Sequence, residues 1–379
     1  MYKMMTPGPT QVSDAVLDAR SLRFKQPDCD PSFVEDYKQL CLDISRLLHT
    51  DHETFILGGE GILGLEAACA SLIEPGDHVL VLDNGIFGRG FADFVEMYGG
   101  VVTFYSTDYR EAIDVEAFTA FLKDNHDFKI ATVVHGDTPS GILNDVDAIT
   151  RELKAYGILT IVDAVSTLFG EPLSLEHIDV LCGGSQKVIS APPGLTLNVI
   201  SEDARAAINN RKTPIAAFYA NLKVFFNYYE EKWFPYTMPA SDINGLRAAI
   251  DAIAVDPGIF DRHRRIGEAT RAAVEAAGLS LYLKNGFSNT VTAFEVPSET
   301  TADAILSTML KDHNILITGS FGVFAGKLIR LGHMGNNANE NDMTAVLSAL
   351  DATLRKLGVP LKADLAEVFH QSLVQQGLI

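Results

Sequence analysis

The sequence has little cysteine, and the spacing of its cysteines matches no pattern of zinc ligands. Only four of the 379 residues are cysteines, and no two of them form a CxxC pair. Their positions are Cys29, Cys41, Cys69 and Cys182. Isolated cysteines of this kind are typical of reduced thiols, so we expect a cytoplasmic protein and no metal site.

Long apolar runs and an excess of basic charge are also missing. No stretch reaches the roughly 18 apolar residues that a membrane-spanning helix needs. The first ten residues lack the basic start and apolar run of a signal peptide. The 49 aspartates and glutamates outnumber the 30 lysines and arginines, which gives a formal net charge of −19. A surface this acidic would repel nucleic acid and anionic membranes, so neither is an expected partner.

What is present is an ordinary globular composition, with 47% hydrophobic and 21% charged residues. The length allows two domains. Short apolar runs alternate with amphipathic segments over the first two-thirds of the chain, which predicts an α/β fold with a mostly parallel sheet. The predicted strands are 54–57, 78–82, 102–105, 130–134, 159–162, 179–182 and 195–200. The predicted helices between them include 61–72, 89–97, 115–123 and 146–156.

The pattern changes after about residue 251. A long charged helix is predicted over 259–277, then strands over 290–295 and 327–331, and a last helix over 340–357. We therefore predict a large α/β domain of residues 13–255 and a smaller α+β domain of residues 1–12 and 256–379. The first dozen residues are too short and turn-rich to stand alone, and we expect them to pack near the site.

Two charged side chains are predicted at the carboxyl ends of strands, where ligands bind in open α/β sheets. Asp163 follows one apolar run, and Lys187 leaves another through two glycines. Each alone has an ordinary explanation, as a helix N-cap or as a surface lysine on a loop. Together they are the pair that pyridoxal chemistry requires: a lysine that forms a Schiff base and a carboxylate that keeps the pyridine nitrogen protonated.

A third feature is the strand-turn-helix junction Gly59-Glu60-Gly61. A helix N-terminus presents free N–H groups that attract an anion, usually phosphate. Here an acidic residue already occupies the turn. Glu60 either stabilises the helix dipole, by about 0.3–1 kcal/mol, or fills the anion site itself. In the second case its carboxylate would repel a phosphate and accept a hydrogen bond from a neutral hydroxyl.

With these residues in place, the chain resembles the class V, fold-type I aminotransferases, such as the alanine–glyoxylate and serine–pyruvate aminotransferases. The resemblance covers nearly the whole chain and implies a large domain with a mostly parallel seven-stranded sheet. It also implies an active site built from two subunits of a homodimer, or of a tetramer. It rests on motifs that occur in the same order: Pro7-Gly8-Pro9, Asn84-Gly85-Ile86-Phe87-Gly88, His135-Gly136-Asp137-Thr138-Pro139-Ser140-Gly141, Val162-Asp163-Ala164-Val165, Ser185-Gln186-Lys187 and Arg330-Leu331-Gly332-His333-Met334-Gly335.

The resemblance further implies a role for each residue of the site. Lys187 would form the Schiff base and move a proton between Cα and C4′, Asp163 would pair with the ring nitrogen, and Arg330 would hold the substrate carboxylate. Taken alone, Arg330 could equally lie on the surface, Phe87 in the core, and Thr138 in a local turn. The other implied cofactor contacts come from Gly59, Glu60, Gly61, Phe87, Thr138, Val165, Ser185 and, across the dimer, Thr237. The other implied substrate contacts come from Pro9 and Phe321.

Within the family, the chain resembles the pyridoxamine–pyruvate transaminases, which treat unphosphorylated pyridoxamine as a substrate and carry a glutamate where relatives bind phosphate. It departs from them where Phe321 replaces a second arginine and Phe87 replaces a tyrosine that stacks on the ring. Ser185 and Thr237 are hydroxyl residues at positions that often help to hold phosphate in other relatives.

Two aminotransferase functions are therefore open. One converts pyridoxamine and pyruvate to pyridoxal and L-alanine through a Schiff base at Lys187. The other retains pyridoxal 5′-phosphate and transfers an amino group from alanine or serine to glyoxylate or pyruvate. Both need a small amine donor and a 2-oxo acid.

Two further hypotheses come from other classes. A desulfurase would need a nucleophilic cysteine on a mobile loop near the substrate, but Cys41, Cys69 and Cys182 lie in or beside predicted core elements. A non-enzymatic binding protein would have no use for the pairing of Lys187 with Asp163. The aromatic cluster between residues 218 and 229 is more typical of a core than of an interface.

Overall fold

The protein is described here by a computed structural model that covers residues 2–377. Helices flank a central sheet, and a smaller α+β lobe follows it. The strands are β1 (Lys3–Met4), β2 (Glu53–Gly58), β3 (His78–Asp83), β4 (Val101–Ser106), β5 (Ile130–Val134), β6 (Gly136–Asp137), β7 (Ile142–Leu143), β8 (Leu159–Asp163), β9 (Val180–Gly184), β10 (Leu195–Ile200), β11 (Val291–Glu295), β12 (Ile315–Leu316), β13 (Thr318–Gly319) and β14 (Leu328–Gly332).

The helices connect these strands and form the outer layers. They are α1 (Asp14–Ser21), α2 (Pro31–Leu47), α3 (Gly61–Leu72), α4 (Ile86–Met97), α5 (Val115–Asp124), α6 (Val146–Ala155), α7 (Glu202–Asn209), α8 (Tyr228–Glu231), α9 (Ala240–Ala254), α10 (Ile259–Ala276), α11 (Ala302–His313), α12 (Glu340–Lys356) and α13 (Leu365–Gln375). Short 3₁₀ turns lie at Leu222–Phe225, Gly322–Phe324 and Gly335–Asn337.

The central sheet has seven strands in the order β2-β10-β9-β8-β5-β3-β4. Strand β10 runs antiparallel to both of its neighbours, and the other neighbouring pairs are parallel. Every residue of β5, β9 and β10 is buried, as expected for strands covered on both faces. The predicted fold class, a mostly parallel seven-stranded sheet with a smaller α+β part, is confirmed.

Helix α4 shows where the sequence pattern falls short. The pattern predicts a helix from residue 89, but α4 begins at Ile86. The carboxylate of Asp137, far away in the chain, accepts hydrogen bonds from the backbone N–H groups of Ile86 and Phe87, at 3.2 and 2.9 Å. These bonds satisfy two of the free donors of the first turn. The helix is extended by a contact from another strand, which a local pattern does not contain.

The residues after the central sheet form a second lobe around a three-stranded sheet, β11-β14-β13. Its buried side chains form a hydrophobic cluster separate from that of the large sheet. The N-terminus contacts both lobes, because β1 pairs in parallel with β12 of the second lobe and the N–H of Thr10 donates to the carbonyl of Gln186 in the first. The division of the chain at residues 12 and 255 stays a prediction. Within residues 2–377, no helix is long and apolar enough to cross a membrane.

A buried tyrosine covers the middle of the free edge of β2. Tyr37 of α2 is fully buried, and its hydroxyl donates to the carbonyl of Ile56 and accepts from the N–H of Ile56, both at 2.8 Å. Strand β2 is the last strand of the sheet on this side, so these two backbone groups have no strand to pair with. The tyrosine hydroxyl satisfies both of them.

We predict that Tyr37→Phe lowers the free energy of unfolding by about 2–4 kcal/mol, because it leaves a buried donor and a buried acceptor unsatisfied. The measurement is urea denaturation at one fixed protein concentration. The control is Tyr229→Phe, which removes a surface hydrogen bond to Glu35 and should change stability by less than about 1 kcal/mol. Equal effects of the two variants would contradict the role assigned to Tyr37.

Candidate active site

A cavity of about 330 Å³ lies at the carboxyl ends of the parallel strands. The segments that follow β2, β3, β5, β8 and β9 all reach it, as expected for the ligand site of an open α/β sheet. Its lining residues are Gly8, Pro9, Glu60, Ile62, Leu65, Phe87, Gly136, Thr138, Asp163, Val165, Ser166, Gln186, Lys187 and Pro193. Lys187 and Asp163, paired from the sequence, therefore face one cavity.

Asp163 is the last residue of β8 and is 4% exposed. Its Oδ1 accepts a hydrogen bond from the backbone N–H of Val165, at 2.8 Å. Burial raises the pKa of this carboxyl to about 7, and the negative charges of Asp137 and Glu60 add to the rise. A carboxyl held in this way gains most from a cationic partner, such as a protonated pyridine nitrogen, because the partner would restore its ionised form.

Lys187 lies three residues beyond β9 and is partly buried. Its Nζ donates to the carbonyl oxygen of Pro7, at 2.7 Å. Burial lowers the pKa of this amine to about 8, and the charge of Arg330 lowers it further, while Asp163 opposes the shift. A substantial fraction of the amine is therefore unprotonated near pH 8, which is what nucleophilic attack on an aldehyde requires.

The N-terminal segment, residues 2–12, packs against this lysine. The N–H of Thr10 donates to the carbonyl of Gln186, at 3.1 Å, and its hydroxyl donates to the carbonyl of Lys187, at 3.0 Å. Gly8 has a φ of +91°, and a Cβ there would overlap the side-chain carbons of Lys187. Glycine is thus required both by the backbone conformation and by the close approach of the lysine. The expectation that this segment packs near the site is confirmed.

Arg330 of β14 is 7% exposed, and all five residues of this strand are buried. Its Nε donates to the carbonyl of Gly319, at 2.8 Å, and its Nη1 to the carbonyl of Thr138, at 3.1 Å. Burial lowers the pKa of the guanidinium to about 10, and Asp137 opposes the shift. The two backbone contacts fix the plane of the guanidinium, which prepares its remaining N–H groups for a carboxylate.

Two aromatic rings lie beside this arginine. Phe321 is 43% exposed, and its ring centre is 5.6 Å from the guanidinium carbon of Arg330. The same ring packs edge-on against Phe87, with 6.0 Å between the ring centres. Phe87 lines the cavity, whereas Phe321 is absent from the lining set. Arg330 is likewise not among the lining residues, so the guanidinium and the ring of Phe321 lie beside the cavity, next to Phe87.

Glu60 occupies the N-cap position of α3. Its Oε1 accepts from the backbone N–H of Ile62, at 3.1 Å, and its Oε2 accepts from Nε2 of Gln186, at 3.0 Å. The sequence left two interpretations open, a helix cap or an occupied anion site. The geometry combines them, because the carboxylate that caps the helix also lines the cavity. The flanking Gly59 and Gly61 leave room for Leu63 and Val165, which a Cβ would overlap.

The three hydroxyl residues singled out in the sequence have different surroundings. Thr138 is buried and lines the cavity. Ser185 is fully buried and is not among the residues that line the cavity. Its hydroxyl donates to the carbonyl of Pro192, at 2.7 Å, and accepts from the backbone N–H of Leu195, at 3.3 Å. Thr237 is exposed and donates to the carboxylate of Asp28, at 2.9 Å. Within one subunit, only Thr138 faces the cavity.

Both histidines of the sequence motifs are buried structural residues. His135 pairs with the hydroxyl of Thr167, at 2.9 Å. His333 bridges Thr292 and the carbonyl of Asn289, at 2.8 and 2.9 Å. Burial lowers the pKa of His135 to about 4 and that of His333 to about 3, so both rings are neutral at physiological pH.

The sequence interpretation missed three residues that shape the site. Asp137 is buried beside Arg330 and caps α4, Gln186 holds Glu60, and Gly8 makes room for Lys187. Each lies inside a quoted motif, and a glycine between two prolines is itself a signal for a special backbone conformation. Which group each of them contacts depends on chain segments far away in sequence.

The residues present fit a pyridoxal ring. A carboxyl and an amine that shift each other's pKa face the same cavity, and Phe87, Val165 and Thr138 complete its wall. This donor set matches what the ring needs at its nitrogen, its aldehyde carbon and its face. Among residues 2–377, no group of three acidic, cysteine or histidine side chains could hold a metal ion.

Comparison with known proteins shows which family the chain resembles. Residues 8–326 match the family model described as aminotransferase class-V. The pyridoxamine–pyruvate transaminase of Mesorhizobium japonicum is 34% identical over 361 residues, which cover 93% of this chain and 92% of that protein.

Solved structures give the same result. The pyridoxamine–pyruvate aminotransferase of Mesorhizobium loti superposes with a TM-score of 0.94 at 32% identity, covering 98% of this chain and 97% of that one. The ureidoglycine–glyoxylate aminotransferase of Bacillus subtilis also reaches 0.94, at 28% identity, covering 99% and 98%. Both similarities extend over both lobes.

We predict that Lys187 reacts with aldehydes at unusually low pH. Its lowered pKa makes the free amine dominant above about pH 8, whereas an ordinary lysine loses its proton near pH 10.4. The rate of pyridoxal addition, fixed by borohydride and located by peptide mass, should rise with pH and level off above about 8. At pH 8 the free-amine fraction should be roughly 100-fold that of a surface lysine. A rate that still rises through pH 10 would contradict the assignment, and Lys187→Ala is the blank.

Proposed function

Because the chain belongs to the class-V aminotransferase family, we propose that it transfers the amino group of unphosphorylated pyridoxamine to pyruvate, giving pyridoxal and L-alanine. The observation that carries this proposal is the carboxylate of Glu60, which caps α3 and lines the cavity. A helix N-terminus would otherwise attract a phosphate. A fixed negative charge at this position repels a phosphate dianion and accepts a hydrogen bond from a hydroxymethyl group.

The surroundings of the two other candidate phosphate contacts support the same conclusion. Ser185 already uses its hydroxyl as donor and acceptor within the loop that follows β9. Thr237 donates to Asp28. If Thr237 reaches the site of a partner subunit, as the resemblance implies, Asp28 accompanies it and adds a second negative charge. Both arrangements disfavour a phosphate ester and are neutral toward an alcohol.

Each charged residue of the site has a part in the proposed reaction. The bound pyridine ring supplies an electron sink for the carbon–hydrogen bond that breaks. Asp163 holds the ring nitrogen in its protonated form. Once the amine of pyridoxamine has condensed with the oxo carbon of pyruvate, with loss of water, Nζ of Lys187 would move a proton from C4′ to that carbon, and water would then cleave the bond between C4′ and the nitrogen to release pyridoxal and L-alanine. Arg330 holds the carboxylate of the oxo acid, which orients that carbon toward Nζ.

The substrate side suits a small monocarboxylate. Arg330 is buried and held by two backbone carbonyls, so it offers one carboxylate site. The ring of Phe321 lies 5.6 Å from the guanidinium carbon of Arg330, so one arginine and an apolar ring stand where the pyridoxamine–pyruvate transaminases have two arginines. An apolar surface next to a single arginine fits the methyl group of pyruvate or alanine.

One observation favours a second function, a phosphate-retaining alanine or serine aminotransferase that uses glyoxylate or pyruvate. Glu60 is exposed in the single subunit. A rotation of its side chain would free the N–H of Ile62 and the amide of Gln186 for a phosphate. The Bacillus subtilis relative named as acting on glyoxylate has a similar fold over the whole chain.

We also propose that the working form is a homodimer. Large apolar side chains lie exposed around a groove of about 720 Å³ beside α3, whose first turn lines the active site. Met97, Phe218 and Tyr219 are 64%, 57% and 55% exposed there. Clustered apolar side chains at this exposure are typical of a covered surface. A second copy of the chain at this groove would cover the mouth of the cavity and the side chain of Glu60.

The test of the reaction is direct. Purified protein with pyridoxamine and pyruvate should release pyridoxal, followed by absorbance, and Lys187→Ala should release none. Glu60→Ser should raise KM for pyridoxamine about tenfold and strengthen binding of the phosphorylated form, since it removes the repelling charge. Glu116→Gln, in the first turn of α5 and outside the cavity lining, is the control. No turnover, with pyridoxal 5′-phosphate bound tightly as purified, would replace this proposal with the second function.

The test of the dimer is sedimentation at micromolar concentration. The wild-type protein should have twice the 41.2 kDa mass of one chain. Met97→Glu combined with Phe218→Glu should shift it toward one chain mass, because two charges would be buried at the contact. Val374→Glu, on the exposed side of α13, should leave the dimer intact. A wild-type monomer would refute the proposal.

A further inference from the structure

One buried amide of the smaller lobe holds both ends of the N-terminal turn, residues 5–10, that packs against Lys187. Asn337 is fully buried. Its Nδ2 donates to the carbonyl oxygen of Met4, at 2.9 Å, and its Oδ1 accepts from the backbone N–H of Gln11, at 3.2 Å. The orientation of the amide follows because a carbonyl only accepts and a backbone N–H only donates. The two bonded residues directly flank the turn, so a single side chain closes it.

The middle of the N-terminal turn is fixed from the same lobe. Gly332, the last residue of β14, donates its N–H to the carbonyl of Met5, at 2.9 Å. A Cβ at Gly332 would overlap the backbone of Thr6 and Pro7, so the strand end and the turn are in direct contact. The turn therefore has little room to move away from the site while Asn337 holds its ends.

The opposite side of the N-terminal turn faces the reacting amine. The carbonyl of Pro7 accepts from Nζ of Lys187, at 2.7 Å. A Cβ at Gly8 would overlap Cδ, Cε and Nζ of the lysine, so the turn covers the outer half of this side chain. Lysine has a long and flexible side chain, and its amine reaches one carbon atom reliably only from a fixed position. The turn supplies that position and shields the amine from water.

The N-terminal turn acts on Lys187 without any charge of its own, because residues 4–12 carry no charged side chain. The charges that influence the amine lie on other elements: Arg330 lowers its pKa, while Asp163 and Glu60 raise it. Burial is the largest cause of the lowered pKa. A displaced turn would expose the amine and leave the three charges in place, so the pKa of Lys187 would rise toward its ordinary value.

We propose that Asn337 is a positioning residue for the reacting amine, because it closes the N-terminal turn and thereby holds Pro7 and Gly8 against Lys187. Asn337 and Lys187, both among the described residues, share no hydrogen bond, and Asn337 is not among the residues that line the cavity. It therefore acts only through the turn. The inference rests on the proposed function in taking Lys187 as the amine that reacts, and it holds for a phosphorylated and for an unphosphorylated ring.

The experiment measures how the rate of pyridoxal addition to Lys187, trapped by borohydride and located by peptide mass, depends on pH. Asn337→Ala removes both hydrogen bonds that close the turn. The midpoint of the rate should move from about 8 in the wild type to about 9, because water reaches the amine. The rate at pH 8 should then fall about fivefold, and the rate above pH 10 should fall less.

Gln11→Met is a milder second variant. Nε2 of Gln11 donates to Oδ1 of Asn337, at 3.3 Å, and to Oδ2 of Asp342, at 3.0 Å. Methionine keeps the length of the side chain and removes both donors without adding a charge. The midpoint should rise in the same direction by about half a pH unit. Because Gln11 is partly exposed, this variant should fold even if Asn337→Ala does not. A thermal midpoint measured for each variant shows which ones are folded.

Asn339→Ala is the matched control. Asn339 lies in the same segment and makes three hydrogen bonds, to the carbonyl of Asn336 and to the carboxylate and N–H of Asp342. None of them reaches residues 4–12. The change should lower stability, because it removes the N-cap of α12. The pH midpoint of Lys187 should stay that of wild type, which separates positioning of the amine from a purely structural role.

The outcomes separate this inference from the proposed function. If Lys187 of the wild type does not add pyridoxal with a midpoint near 8, the premise taken from the proposed function fails, and the role of Asn337 fails with it. If the wild type behaves as expected but every folded variant of Asn337 and Gln11 keeps its midpoint, only the role of Asn337 is refuted. An equal shift in Asn339→Ala would refute it as well.

Discussion

Burial drives the amine and the carboxyl at the centre of this site toward their neutral forms. The pKa of Lys187 is lowered to about 8 and that of Asp163 is raised to about 7, and burial is the first cause of both shifts. The site therefore holds an amine that can act as a nucleophile. It also holds a carboxyl group whose anionic form is stabilised when a cation lies beside it. Both groups reach one cavity because Asp163 ends β8 and Lys187 follows the end of β9. The N–H of Val165 holds the carboxyl group, and Gly8 leaves room for the lysine side chain.

A second pair of buried charged groups, Asp137 and Arg330, stabilise each other. Asp137 is buried with its carboxylate on the first turn of α4, and burial raises its pKa to about 6. Its negative charge offsets the cost of burying Arg330, whose guanidinium is fixed by two carbonyls. One carboxylate thus supports both the helix that carries Phe87 and the buried guanidinium of Arg330. A change at Asp137 would therefore affect Phe87 and Arg330 together.

The fold and the reacting pair could be predicted from the sequence because they depend on local patterns. The apolar runs match the seven strands within two residues at each end, and Asp163 and Lys187 follow such runs. What could not be predicted depends on which distant segments meet. The early start of α4 comes from Asp137, and the engagement of Ser185 comes from its own loop. The motif containing Gln186 was visible, but its contact with Glu60 needed the meeting of two strand ends.

The leading residues of the chain connect the two lobes mechanically. Strand β1 is hydrogen-bonded to β12 in the smaller lobe, and six residues after its end Thr10 is hydrogen-bonded to the backbone of Lys187. A hinge movement of the smaller lobe would therefore pull on the loop that carries the amine. Trimming the start of this protein to ease its crystallisation, or fusing it tightly to another domain there, would disturb the reacting group from more than a hundred residues away in sequence.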